Sequence, residues 1–92
     1  MKVLSMTPGS EYAVVLGKLE PGSRYPAHSH IASEQVYILS GDLVIGETKL
    51  KAGDFHEAAA GSSHGVNYSE TGCVILAVIS QKDLQAQLAV MS

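Results

Sequence analysis

The sequence predicts an all-β fold, an antiparallel sandwich or barrel followed by one short C-terminal helix. Short segments rich in β-branched and aromatic residues alternate with turn signals about every eight to twelve residues, a spacing typical of such folds. Helical spacing of apolar residues occurs only near the end of the chain, where Leu84, Leu88 and Met91 follow a Ser-x-x-Asp capping pattern. Strands with no helix between them pack as antiparallel sheets.

Each predicted strand follows from its local residues. Residues 1–10 predict an arm, a short strand that ends at the turn signal Pro8-Gly9. β-formers fill residues 12–19, and the Pro21-Gly22 turn leads into the next strand. Further strands, each bounded by Gly, Asp or Ser turns, are predicted at 35–39, 43–45, 49–51, 64–68 and 73–79. The last of these is apolar throughout, which indicates that both of its faces are covered.

The length and composition indicate one small domain over residues 1–92, with the barrel core at about 12–80 and the helix at about 81–91. A chain this short buries a limited core, and its charged content is only 16%. Low surface charge suggests that part of the surface is buried between subunits. Together with the arm, these properties predict a homodimer.

Charge, hydropathy and cysteine content exclude several classes of protein. The net charge is −3 and the six Lys and Arg residues are scattered, so no basic stripe for nucleic acid is present. The longest apolar run, residues 73–79, is far shorter than the roughly 20 residues of a membrane span. Signal-peptide features are absent from the N-terminus. The single cysteine, Cys73, excludes an internal disulfide and predicts a buried, inert thiol in a reducing compartment. We therefore expect a cytoplasmic protein.

A cluster of metal-capable side chains lies early in the chain. His28 and His30 are two residues apart, so on a strand they share a face. Glu34 follows after a connection short enough to bring its carboxylate back beside them. A Gly-rich approach then delivers His64 at the start of a later strand. Three imidazoles and one carboxylate suit iron, manganese, nickel, copper or zinc, and we predict one divalent ion per chain at these four residues.

The same residues resemble the two motifs of the cupin family. Gly22, His28, His30, Glu34 and Gly41 match every fixed position of its first motif, G-x5-H-x-H-x3-E-x6-G. The second motif, G-x5-P-x-G-x2-H-x3-N, matches at Gly53, Gly61 and His64. It departs at Ala59, where proline is usual, and at Tyr68, where asparagine is usual; Asn67 stands one residue early. The resemblance covers roughly residues 12–80 and implies a cupin β-barrel, an antiparallel jelly roll.

Two further residues are candidates for catalysis. Tyr68 would share the face of His64 on a continuous strand, where its phenol could donate a hydrogen bond; the alternative is a core tyrosine that satisfies its own hydroxyl. His56 lies eight residues before His64 and could act as a base, although a surface position on its strand is the commoner outcome. Val36 and Ile38 are expected to point with the metal ligands, which predicts an apolar cavity for a small organic molecule.

The resemblance implies a dioxygenase that acts on an enolisable or catecholic substrate with iron, manganese, nickel or copper. A metal-dependent isomerase or lyase would need a base, for which Tyr68 and His56 are the candidates. The second half of the chain also resembles the zinc-binding cupin domain of bacterial anti-sigma factors, which implies a sensory role. A non-catalytic ligand-binding barrel with a structural metal is the fourth alternative.

Overall fold

The computed structural model describes residues 1–25, 28–29, 32–64 and 67–91, with side chains in the same ranges except at 25, 28–29, 63–64 and 87–91. Ten strands precede one helix. The strands are β1 Lys2–Ser5, β2 Tyr12–Leu19, β3 Arg24–Tyr25, β4 His28–Ser29, β5 Glu34–Ile45, β6 Thr48–Lys51, β7 Phe55–Ala58, β8 Ser63–His64, β9 Asn67–Tyr68 and β10 Cys73–Ser80. Helix α1 spans Gln81–Met91, as predicted.

The strands form two antiparallel layers that share β5. The first layer has the order β1-β2-β10-β5-β7, in which the two long strands β2 and β10 lie side by side along eight residue pairs. The second layer has the order β6-β5-β9-β3, and β4 pairs with β8 beside it. This arrangement confirms the predicted antiparallel β-sandwich with a C-terminal helix.

Strand β5 connects the layers because it bends in the middle. We predicted a turn at 40–42 between two strands; this was wrong, since β5 is one twelve-residue strand. Its first half pairs with β7 and β10, and its second half with β6 and β9. The register shifts at the bend, opposite Val74 and Ile75, and Gly41 adopts a φ of +80°. Such a bulge lets one strand change layers without ending.

The core lies between the layers. Alternate residues of β2 and β10 are buried, as a strand with one core face requires. In β5 the members of the core cluster are Val36 and Ile38 before the bend and Leu43 and Ile45 after it, while Val44 is buried on the opposite face of the strand. The register shift therefore keeps both halves of β5 turned toward one core.

Helix α1 closes one end of the core. Ser80 accepts a hydrogen bond from the Asp83 backbone N–H at 3.0 Å and donates its own hydroxyl to Asp83 Oδ2 at 2.9 Å, which confirms the predicted cap. Leu84 is buried in the core cluster. Among the residues that the structure describes, no helix is long and apolar enough to cross a bilayer.

Candidate metal centre

Strands β4 and β8 bring two of the four predicted ligands together. In their antiparallel pair His28 lies directly opposite His64, and Ser29 opposite Ser63. Directly opposite residues of antiparallel strands have Cα atoms about 4.5 to 5.5 Å apart and share a face of the ladder. His28 and His64, which are 36 positions apart in sequence, are thus neighbours in the structure. His28 is a ligand position of the first cupin motif and His64 is one of the second.

Glu34, the predicted carboxylate ligand, is the first residue of β5. Its side chain is half-buried and lies on the same face of the strand as the buried side chains of Val36 and Ile38. The carboxylate therefore starts the row of side chains that points into the core. Glu34 thus shares a face of β5 with Val36 and Ile38, as the alternation along the strand predicts.

The connection just before Glu34 is held by the helix. Asp83 Oδ2 accepts a hydrogen bond from the backbone N–H of Ala32 at 3.2 Å, across 51 residues of sequence. Asp83 is only 2% exposed, and Ser80 donates to the same oxygen. The start of α1 thus anchors the chain two residues before Glu34. Sequence analysis assigned Asp83 to the helix cap alone, since nothing local signals this distant bond.

The remaining ligand position, His30, lies outside the described residues, as do the side chains of His28 and His64. Within the described part of the chain, no three His, Cys, Asp or Glu side chains form a metal-sized group. The donor chemistry of the four predicted ligands is nevertheless suitable, because three imidazole nitrogens and one carboxylate oxygen satisfy a borderline divalent ion. The backbone pairing of His28 with His64 is consistent with that set.

His56 occupies a more interior position than the surface site that its strand alone suggests. It lies directly opposite Val36 in the β5–β7 pair, while Ala58 lies opposite Glu34. Paired residues share a face, so His56 is on the core face beside Val36 and diagonal to Glu34, at about 7 to 8 Å between Cα atoms. The side chain is half-buried. Its imidazole is therefore on the same face as the candidate centre.

The described residues of the predicted strand 64–68 fall in two strands, β8 and β9, which have different partners. Tyr68 lies opposite Val44. Val44 alternates with Leu43 and Ile45, which belong to the core cluster, so Tyr68 is on the face of β9 away from that cluster. The register thus gives the inward position to its neighbour Asn67.

Asn67 is a polar residue at the core face of β9 and is 9% exposed. Its Oδ1 atom is buried and has no hydrogen-bond partner within the described chain. Buried side-chain oxygens are normally paired, so an orphan of this kind needs an explanation. On one continuous strand Asn67 would lie on the face opposite His64. Its place one residue before the asparagine position of the second motif was the available signal in the sequence.

Asp42 fastens the loop between β9 and β10. Its carboxylate accepts hydrogen bonds from the Thr71 hydroxyl, from the Thr71 backbone N–H at 2.8 Å and from the Glu70 backbone N–H at 3.0 Å. These bonds stabilise the charged form and lower the pKa of Asp42 from 3.8 to about 2. Ser69 adds a bond to the Asp42 carbonyl at 2.6 Å. Asp42 therefore stabilises the loop that follows β9.

Cys73, at the start of β10, is buried. Burial raises the pKa of its thiol and outweighs the lowering by the Ser69 hydrogen bond; the negative charge of Asp42 adds a smaller increase. A thiol with a raised pKa is a weak nucleophile and a slow target for oxidation. The location agrees with the prediction of an inert cysteine.

Several solved structures are similar to this fold. An acetylacetone dioxygenase from Acinetobacter johnsonii superposes with a TM-score of 0.78 at 15% identity, over 85% of this chain and 56% of that protein. A cupin superfamily protein from Desulfitobacterium hafniense has a TM-score of 0.74 at 15% identity, over 85% of this chain and 74% of the other. Likeness at this identity shows the cupin fold.

The anti-sigma protein ChrR of Rhodobacter sphaeroides, solved in complex with SigE, has a TM-score of 0.74 at 25% identity, over 84% of this chain and 42% of that protein. The chain thus spans only about half the length of the dioxygenase and of ChrR. No curated protein matches the sequence. The profile of the ChrR cupin-like domain family matches residues 1–83, nearly the whole chain. The chain therefore belongs to the ChrR cupin-like domain family.

Proposed function

We propose that this protein is a metal-dependent enzyme of dioxygenase type that acts on a small enolisable organic molecule held between the two β-layers. The observation that carries the proposal is the placement of His28 directly opposite His64, with a buried, unpaired Asn67 on the same pair of chain segments. Asn67 lies opposite Tyr25 in the β3–β9 pair, and His28 lies opposite His64 in the β4–β8 pair.

The metal would be held by His28, His30, Glu34 and His64. A redox-active divalent ion at these ligands would supply Lewis acidity to a bound substrate and a path for electrons from the substrate to dioxygen. Iron, manganese, nickel and copper fit this role, and zinc fits the ligand set without the redox chemistry.

The protein's own contribution is an apolar site with few polar groups. Val36, Ile38 and Leu43 are buried in the core cluster around the inward face. Against this apolar background Asn67 Oδ1 is an acceptor, suited to a hydroxyl of the substrate, such as the enol form of a diketone. Satisfying it would recover the cost of a buried unpaired oxygen, about 1 to 3 kcal/mol.

His56 is a group on this face that can hold a proton, and it lies close to the predicted metal ligand Glu34. Each is half-buried, and their Cα atoms are diagonal neighbours across β5 and β7. An imidazole so placed could take a proton from the α-carbon of a diketone and return it to the carbonyl oxygen, which gives the enol whose hydroxyl Asn67 Oδ1 would accept. Tyr68 lies on the other face of β9 and is not needed for this step.

The likeness to an acetylacetone dioxygenase supports the choice of substrate class, since acetylacetone is an enolisable 1,3-diketone. The test is oxygen uptake by metal-loaded protein with acetylacetone and, separately, with catechol. We expect uptake with the diketone. Asn67→Leu should raise KM about fivefold to a hundredfold, the worth of one buried hydrogen bond, and should leave stability unchanged or raise it.

Glu47→Leu is a matched control, because Glu47 lies in the turn after β5 and is exposed. If the fully metal-loaded protein takes up no oxygen with either compound, the dioxygenase proposal is contradicted. An unchanged KM in Asn67→Leu would show that Asn67 does not bind the substrate.

A zinc-binding sensory barrel is the second candidate. It is favoured by the family profile over residues 1–83 and by the 25% identity with ChrR. Because the Cys73 thiol is buried and its pKa is raised, a sensory response would have to arise at the metal ligands. Exclusive retention of zinc, with no oxygen uptake, would favour this candidate.

A further inference from the structure

The face of the first layer that points away from the core is apolar across four neighbouring strands. The register places Leu16, Leu76, Tyr37 and Phe55 in one row across β2, β10, β5 and β7. Val14 and Val78 are paired in the adjacent row. We call these six residues the apolar outer face.

These side chains are unusually accessible for their type. Phe55 is 60% exposed and Tyr37 is 42% exposed, and the four aliphatic members are half-buried. In the part of helix α1 whose side chains are described, Leu84 belongs to the core cluster on the other side of the layer. A contiguous apolar patch of this kind on a small protein marks an interaction site.

We propose that the apolar outer face is the interface of a homodimer related by a two-fold axis that runs parallel to β10. Two copies of a flat apolar row are complementary to each other, which an isologous contact requires. The rim is polar, since Gln35 donates a hydrogen bond to Glu57 at 2.7 Å beside the apolar row. An apolar centre within a polar rim is the usual anatomy of an interface.

The charges at the two edges of the layer select the direction of the axis. Lys2 lies opposite Leu16 at the β1 edge, and Glu57 lies on β7 at the opposite edge, both on the outer side. An axis parallel to β10 brings the β1 edge of one copy over the β7 edge of the other, so Lys2 faces the region of Phe55 and Glu57. An axis across the strands would instead place like charges over one another, which is unfavourable.

The area of the whole first layer, which has the apolar outer face at its centre, follows from its strands. Strands β2 and β10 have eight residues each, β1 and β7 have four each, and about eight residues of β5 belong to this layer. At about 3.3 Å per residue and about 4.8 Å between strands, the flat footprint of the layer is roughly 500 Å², and its accessible area, with projecting aromatic rings, is larger. Stable interfaces bury about 800 Å² of accessible surface per partner.

The test is the mass of the full chain by sedimentation equilibrium over a range of concentrations. We expect the wild type to be a dimer and Phe55→Glu to raise its dissociation constant at least about 30-fold, as for the loss of a central aromatic contact. Thr48→Glu is the control, since Thr48 is exposed and lies on β6 in the second layer, away from the apolar outer face. It should remain a dimer. Circular dichroism should show that all three chains are folded.

Charge reversal tests the axis without removing apolar surface. Lys2→Glu and Glu57→Lys should each weaken the dimer, and the double variant should restore most of the loss. A wild-type chain that is monomeric at every concentration, or a Phe55→Glu variant as dimeric as the wild type, would overturn the interface. Single reversals that do not couple would overturn the direction of the axis.

Discussion

Gly41→Ala provides a sharp test of how β5 changes layers. Gly41 has a φ of +80°, which costs a residue with a Cβ about 1 to 2 kcal/mol. A Cβ at this position would also lie 2.8 Å from both Cys73 Cα and the Gly72 carbonyl carbon, and closer still to the Gly72 oxygen. These are backbone atoms of the paired strand, so they cannot move aside as a flexible side chain would.

Overpacking of this kind adds about 1 to 3 kcal/mol, which gives a total loss of about 2 to 5 kcal/mol. The whole chain should have a free energy of unfolding of about 5 to 14 kcal/mol, at 0.05 to 0.15 kcal/mol for each of its 92 residues. Gly41→Ala should therefore remove a large share of the stability. The assay is equilibrium unfolding in urea, read as the midpoint and slope of the transition.

Gly22→Ala is the matched control. Gly22 has the same φ of +80°, but a Cβ there would meet no heavy atom within 4 Å in the described structure. It should lose only the conformational term, about 1 to 2 kcal/mol. Equal destabilisation by the two substitutions would refute the argument that close packing against Gly72 and Cys73 explains the glycine that closes the first motif.

Two further predictions concern hydrogen bonds outside the metal centre. Because the folded-state pKa of Asp42 is lowered to about 2, its contribution to stability is present above about pH 4 and is lost as the pH falls toward 2. The contribution is modest at this partly exposed carboxylate because solvent screens it. Asp42→Asn should reduce stability at pH 7 and flatten its decline between pH 4 and 2; a decline as steep as that of the wild type would contradict this. Ser80→Ala should cost about 1 kcal/mol through loss of the helix cap, and an unchanged urea midpoint would show that the cap contributes nothing.

Elements with a strong local signal were predictable from the sequence. The helix over 81–91 was anticipated from its cap and apolar spacing, and α1 has those bounds. The alternation along 12–19 anticipated β2, whose alternate residues are buried. Turn residues such as Gly53 and Asp54 anticipated the tight connection between β6 and β7.

Elements defined by distant partners were not predictable. Gly41 has the local character of a turn residue, and only its pairing with Cys73 shows that the strand continues through it. Which of Tyr68 and Asn67 faces the core depends on Val44, a residue of another strand. The inward position of His56 likewise depends on Val36. In each case the deciding interaction lies 12 or more residues away, beyond the reach of local patterns.

The most direct test of the metal centre is the metal content of purified protein, measured as ions per chain for the wild type, His64→Ala and His56→Ala. All three chains should be loaded with the same mixture of divalent iron, manganese, nickel, copper and zinc. We predict one ion per wild-type chain, nearly full retention in His56→Ala and loss of most of the metal in His64→Ala, because His64 is assigned as a ligand and His56 is not. Metal-free wild-type protein, or equal occupancy in the two variants, would contradict the assignment of His28, His30, Glu34 and His64 as the metal ligands.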